Sequence, residues 1–138
     1  MSYKKRDNMK NLFTLLLLLI STQVFSQQWI SDSNFDEKIY KNEQCMDCIV
    51  VVEFWVEFNK DNAFKDWDKI KGAKYFRIDI AEAPIAKKEY RVRMAPTLIV
   101  FKDGIKEEMF KASLDLECPV DLEELQHTIE DIKKADKF

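Results

Sequence analysis

The chain has 138 residues, 46% of them hydrophobic, which is material for one domain with a real core. Its 22 basic and 25 acidic residues leave a net charge of −3, and it holds only 2 glycines. Those figures exclude a Gly-rich phosphate loop, and no G-x-G-x-x-G or G-K-[ST] string occurs.

The N-terminus reads as a targeting segment. Lys4, Lys5, Arg6 and Lys10 precede a short apolar run, Leu12 to Ile20. Val24, Phe25 and Ser26 then stand where a signal peptidase reads, so residues 1–26 are expected to form a signal peptide cleaved after Ser26. Met9 is an alternative start. The run is far shorter than the roughly 20 apolar residues a bilayer requires, so no membrane attachment is expected after cleavage. Residues 27–138 are expected to be exported to a periplasmic or extracellular space as one domain. Cleavage leaves 18 basic and 24 acidic residues, a net of −6. With no basic stripe, the mature chain is a poor candidate for nucleic acid.

In chain order, Trp29 and Ile30 read as a short edge strand. Ser33 opens a helix with Phe35 and Ile39 facing the core. Ile49 to Val56 is an unbroken apolar run interrupted by Glu53, the composition of a strand buried on both faces. After Asn59 the stripe Phe64, Trp67, Ile70 predicts a helix ended by Gly72. Lys74 to Ile80 alternates as a strand, and Pro84 to Tyr90 is a short helix with proline in its first turn. Thr97 to Phe101 is a third buried strand. Asp103-Gly104 predicts a hairpin returning through Ile105 to Ala112. Asp121 caps a last helix with the stripe Leu122, Leu125, Ile129 and Ile132. The order β-α-β-α-β-α-β-β-α predicts an α/β fold, a central mixed β-sheet flanked by helices on both faces.

This order, with the words it contains, resembles the thioredoxin fold family over about residues 29–134. The family's V-D-F-W-A-E-W-C-G-P-C segment is similar to Val52 through Asn62 without a gap. Its loop ending in a cis proline, and the strand after it, are similar to Met94-Ala95-Pro96-Thr97-Leu98-Ile99-Val100-Phe101. Its F-x-x-G turn is similar to Phe101 through Gly104. The resemblance also shows what has changed. Both dithiol positions hold asparagine, Asn59 and Asn62, so thiol–disulfide exchange at this site is lost. Asn59 is expected to cap the helix after it. Glu53 stands at the family's buried acid, where a desolvated carboxyl is expected to have a raised pKa. It reads either as a retained proton-transfer group or as a relic bonded to a neighbour, and Tyr75 replaces the family's adjacent lysine. Trp55, Phe58, Ala95 and Pro96 are the candidate binding groove.

Cys45 and Cys48 have the spacing of a redox pair. Cys48 precedes the buried strand and Asn59 follows it, about 25 Å or more away. A structural disulfide is therefore expected over a displaced active site, and one CxxC alone is a weak zinc signal. Cys118, before Pro119, is the odd thiol and a candidate for cross-linking a dimer. His127, the one histidine, falls off the apolar stripe and reads as solvated. The expectation is a thioredoxin-like module without catalytic residues, metal or cofactor, which binds a protein or peptide partner. The alternatives are a thiol-disulfide oxidoreductase using Cys45 and Cys48, or a purely structural subunit.

Overall fold

The computed structural model describes residues 28–40 and 48–135. The expected signal peptide and Cys45 lie outside them. In chain order the elements are β1 (Gln28–Ile30), α1 (Phe35–Tyr40), β2 (Ile49–Trp55), β3 (Lys74–Asp79), α2 (Pro84–Glu89), β4 (Thr97–Lys102), β5 (Ile105–Lys111) and α3 (Leu122–Ala135). The sheet order is β1-β3-β2-β4-β5. The β1–β3 and β3–β2 pairs are parallel, and the β2–β4 and β4–β5 pairs are antiparallel.

The central strand is buried because both of its faces are covered. On one face Val50, Val52 and Phe54 pack with Phe35 and Ile39 of α1 and Ala86 of α2. On the other, Ile49 and Val51 pack with Leu125 and Ile129 of α3. The chain is thus mixed α/β, with helices on both faces of a five-stranded mixed sheet.

The helix ends show how much of this is local. Asp121 Oδ1 accepts the Glu124 N–H at 2.8 Å, so α3 begins where its cap predicts. Helix α1 begins one residue later than predicted: the Asn34 carbonyl accepts from Lys38 N–H, and its side chain ties back to Ser31 N–H at 2.7 Å. Helix α2 has Ala83 at its cap, with no side chain to offer. Asp32, distant in sequence, accepts from Ile85 N–H and Ala86 N–H at 3.0 and 2.8 Å.

The β4–β5 hairpin turns through Asp103 and Gly104, with φ of 50° and 79°, the geometry of a two-residue type I′ loop. A Cβ at Gly104 would lie 2.6 Å from the Tyr40 ring. Gly104→Ala is therefore expected to destabilise the fold by about 1–2 kcal/mol in a thermal melt. Adding Tyr40→Ala should relieve the ring clash and leave the backbone cost. An unchanged melting temperature would show that the turn relaxes freely.

The helix expected after Asn59 does not form. Two short 3₁₀ turns, Glu57–Asn62 and Trp67–Lys69, carry the chain from β2 to β3, and Asn59 itself is non-helical at φ −118°, ψ 24°. Composition gives one reason. Asn59, Asp61, Asn62, Asp66 and Asp68 all compete with helix bonds through short polar side chains. Phe64 gives the other: its N–H donates to Glu53 Oε2 at 3.0 Å and its carbonyl accepts from Arg77 at 3.1 Å. A buried ion pair takes the backbone groups that a helix ladder would have used. Phe64, Trp67 and Ile70 still pack on the α3 face, as their spacing predicts.

Candidate functional site

Asn59 is not a helix cap but a tie between three loops. Its Nδ2 donates to the carbonyls of Ala95 and Leu116, both at 2.8 Å. Its Oδ1 accepts from Asn62 Nδ2 at 2.9 Å. The two asparagines thus touch each other. Together they hold the 57–62 turn, the Ala95–Pro96 peptide, which is cis, and the segment before α3. An amide that donates twice and accepts once is nearly saturated, and carbon-bound amides offer no nucleophile here.

Glu53 is fully buried one strand-end below this tie. Arg77 of β3 donates to its Oε1 through Nε at 3.0 Å and Nη2 at 2.8 Å, and the Tyr75 hydroxyl donates to the same oxygen. Phe64 N–H takes the other oxygen. The register that pairs Glu53 with Arg77 also puts Tyr75 on the same face, two residues back. Arg77 is 5.8 Å from the Trp29 ring centroid and 5.9 Å from that of Tyr75. This geometry accords with the reading of Glu53 as an acid bonded to its neighbours. Its donors are a cation, a phenol and a backbone amide, where a proton carrier would need a path to solvent.

Burial, then the neighbouring Glu53 charge, push the Tyr75 phenol far above its usual range. An unfolded tyrosine loses its proton near pH 10, while folded Tyr75 keeps it. The stability this linkage contributes is complete below about pH 10 and falls as pH rises beyond it. Urea unfolding between about pH 9 and 11 should show that slope, and Tyr75→Phe should make it shallower. An equal slope in both proteins would assign the effect elsewhere.

Of the four residues of the expected groove, two are buried and two reach the surface. Ala95 and Pro96 are buried, and the Ala95 carbonyl is occupied by Asn59. Phe58 is 79% exposed. Trp55 is half-buried, packed edge-on against Trp29 with ring centroids 4.9 Å apart. These two rings wall a cavity of about 430 Å³ at the ends of the parallel strands, where Asp79 and Glu82 supply negative charge.

Cys48 is buried at the head of β2, at the end of the strand opposite Asn59. Its expected partner Cys45 lies outside the described residues. Cys118 is a free, half-buried thiol whose Sγ approaches the Val120 carbonyl at 3.4 Å. Burial pushes its pKa up, which makes it a weak nucleophile at neutral pH. It sits on the same side as Asn59, since Leu116 two residues earlier is in the tie. His127 is exposed and 3.3 Å from Asp131. Among the described residues no three His, Cys, Asp or Glu side chains converge as a metal site, and no helix is long and apolar enough to cross a membrane.

Sequence reasoning missed Arg77, Asp32 and Gln126, whose side-chain amide pairs with both backbone groups of Lys71 at 2.9 and 2.8 Å. Arg77 left a signal: a cation inside the otherwise alternating strand Lys74–Asp79, two residues from the tyrosine already singled out. Asp32 and Gln126 act across 53–55 residues of sequence, and no local pattern marks them.

Searches with protein-family models and among curated proteins find no match to this chain. Among solved structures it is similar to a designed protein, with a TM-score of 0.61 and 19% identity, over 79% of this chain and 99% of that one. At that identity the likeness is one of fold alone.

Proposed function

We propose that the protein is an exported thioredoxin-like domain that binds a protein or peptide partner and carries out no thiol–disulfide exchange. The observation that carries this reading is the Asn59 tie. The position the resemblance gives to a nucleophile holds an amide bonded to Ala95, Leu116 and Asn62. The β1-β3-β2-β4-β5 order and the cis Ala95–Pro96 peptide support the thioredoxin-like assignment.

Asn59 already donates to the Ala95 carbonyl, and the aromatics Trp29, Trp55 and Phe58 support a partner surface carried by aromatic side chains. Exposed large aromatics are the groups that anchor protein interfaces. Trp29 is 49% exposed and Phe58 79% exposed.

A disulfide-reduction assay on an insulin-like substrate tests the reading. The expected result is the uncatalysed rate. Turnover above that rate, abolished by Cys45→Ser or Cys48→Ser, would overturn it in favour of an oxidoreductase using the displaced pair. Mass mapping of the unreduced protein is expected to join Cys45 to Cys48 and leave Cys118 as a thiol.

A further inference from the structure

We infer that a cationic groove running from α2 to the end of β5 binds an acidic peptide segment of a partner protein. The mature chain is strongly acidic, yet Lys87, Lys88, Arg91 and Arg93 are exposed within seven residues of one another, with Glu89 as the single acid among them. Two surface depressions, a broad, shallow one of about 1090 Å³ and a narrower one of about 310 Å³, adjoin here and share Arg91 and Arg93 as common walls. Lys111 of β5 adds a further cation to the smaller one.

The backbone at Arg91 is the second observation. Helix α2 closes with Arg91 N–H bonded to the Lys88 carbonyl and Val92 N–H bonded to the Lys87 carbonyl at 2.9 Å, the pattern of a Schellman motif. Arg91 occupies its left-handed position at φ 54°, where glycine fits without strain. A strained arginine facing both depressions, where glycine would satisfy the fold, points to use of the side chain.

The size and lining choose the ligand. The combined groove is far larger than a single phosphate. Among its described lining residues there is no aromatic ring on which a base would stack, and a mature chain of net −6 repels a nucleic acid. Ile85, 68% exposed, lines the larger depression and Met109 the smaller, so each adds an apolar contact beside the cations. That mixture of cations and apolar side chains suits an extended peptide bearing carboxylates with apolar residues between them, its acids paired with the Arg91 and Arg93 guanidinium forks. The inference shares with the proposed function only the expectation of a protein partner. It stands or falls apart from the redox assay.

Fluorescence anisotropy of a labelled peptide alternating Glu and Leu tests it, with the Gln and Leu peptide as control. The Glu peptide is expected to bind, more weakly as salt rises, and the Gln peptide not to bind. Arg91→Gly is expected to weaken binding at least about tenfold while leaving the melting temperature unchanged or raised. Arg93→Gln, which leaves the helix end untouched, should weaken binding similarly. Equal binding of the two peptides, binding unaffected by either variant, or tighter binding of a single-stranded RNA lost in the same variants would overturn the inference.

Discussion

Replacing Arg77 with methionine is expected to lower folding stability by about 3–5 kcal/mol. The reason is what remains behind. Glu53 is fully buried, and without the guanidinium it would keep only the Tyr75 hydroxyl and Phe64 N–H as donors. The Phe64 carbonyl loses its donor as well. The contrast is the double variant Glu53→Leu with Arg77→Met, which removes both charges. It should be less destabilised than Arg77→Met alone, because the pair's mutual attraction mostly offsets its own desolvation. Urea unfolding of the two singles and the double gives the coupling directly. A single variant within about 1 kcal/mol of the parent would mean that water reaches Glu53.

Asn59→Ala is expected to cost about 2–4 kcal/mol, since it strips the donor from two partly buried carbonyls at once. Asn59→Asp should be worse at neutral pH, because it sets a carboxylate against the Ala95 and Leu116 oxygens. Protonation would let that side chain donate again, so its penalty should shrink as pH falls toward about 4, the ordinary aspartate pKa, with no further change below it. Chemical unfolding at acidic and neutral pH reads both effects. If alanine is neutral, the three loops are held by packing, and the tie is incidental.

The elements whose cause lies within a few residues were legible in advance. The apolar run of β2 gave its double burial, Asp121 gave the start of α3, and Asp103-Gly104 gave the hairpin. The segment after β2 misled for a definable reason. Its apolar spacing at Phe64, Trp67 and Ile70 is helical, and those residues do reach the core. What the spacing cannot show is that a glutamate and an arginine on neighbouring strands would claim the backbone of Phe64. Long-range polar bonds overrode local periodicity there. At the site, it was plain that positions 59 and 62 hold asparagine and no thiol. The bonds those asparagines make instead depend on loops 36 and 57 residues away, which only the fold brings near.

The crossover between β2 and β3 has a consequence for how the molecule opens. Parallel strands are usually joined by a helix that satisfies its own amides; this one is fastened by other elements, through Glu53, Arg77, Asn59 and Gln126. Its own backbone is bonded chiefly at its two short turns, so most of its amides should exchange with deuterium through local opening well below the global unfolding energy. Phe64 should be the exception, because its N–H donates to a carboxylate at the centre of the sheet. A slow amide inside a fast segment would mark the point at which this crossover is anchored.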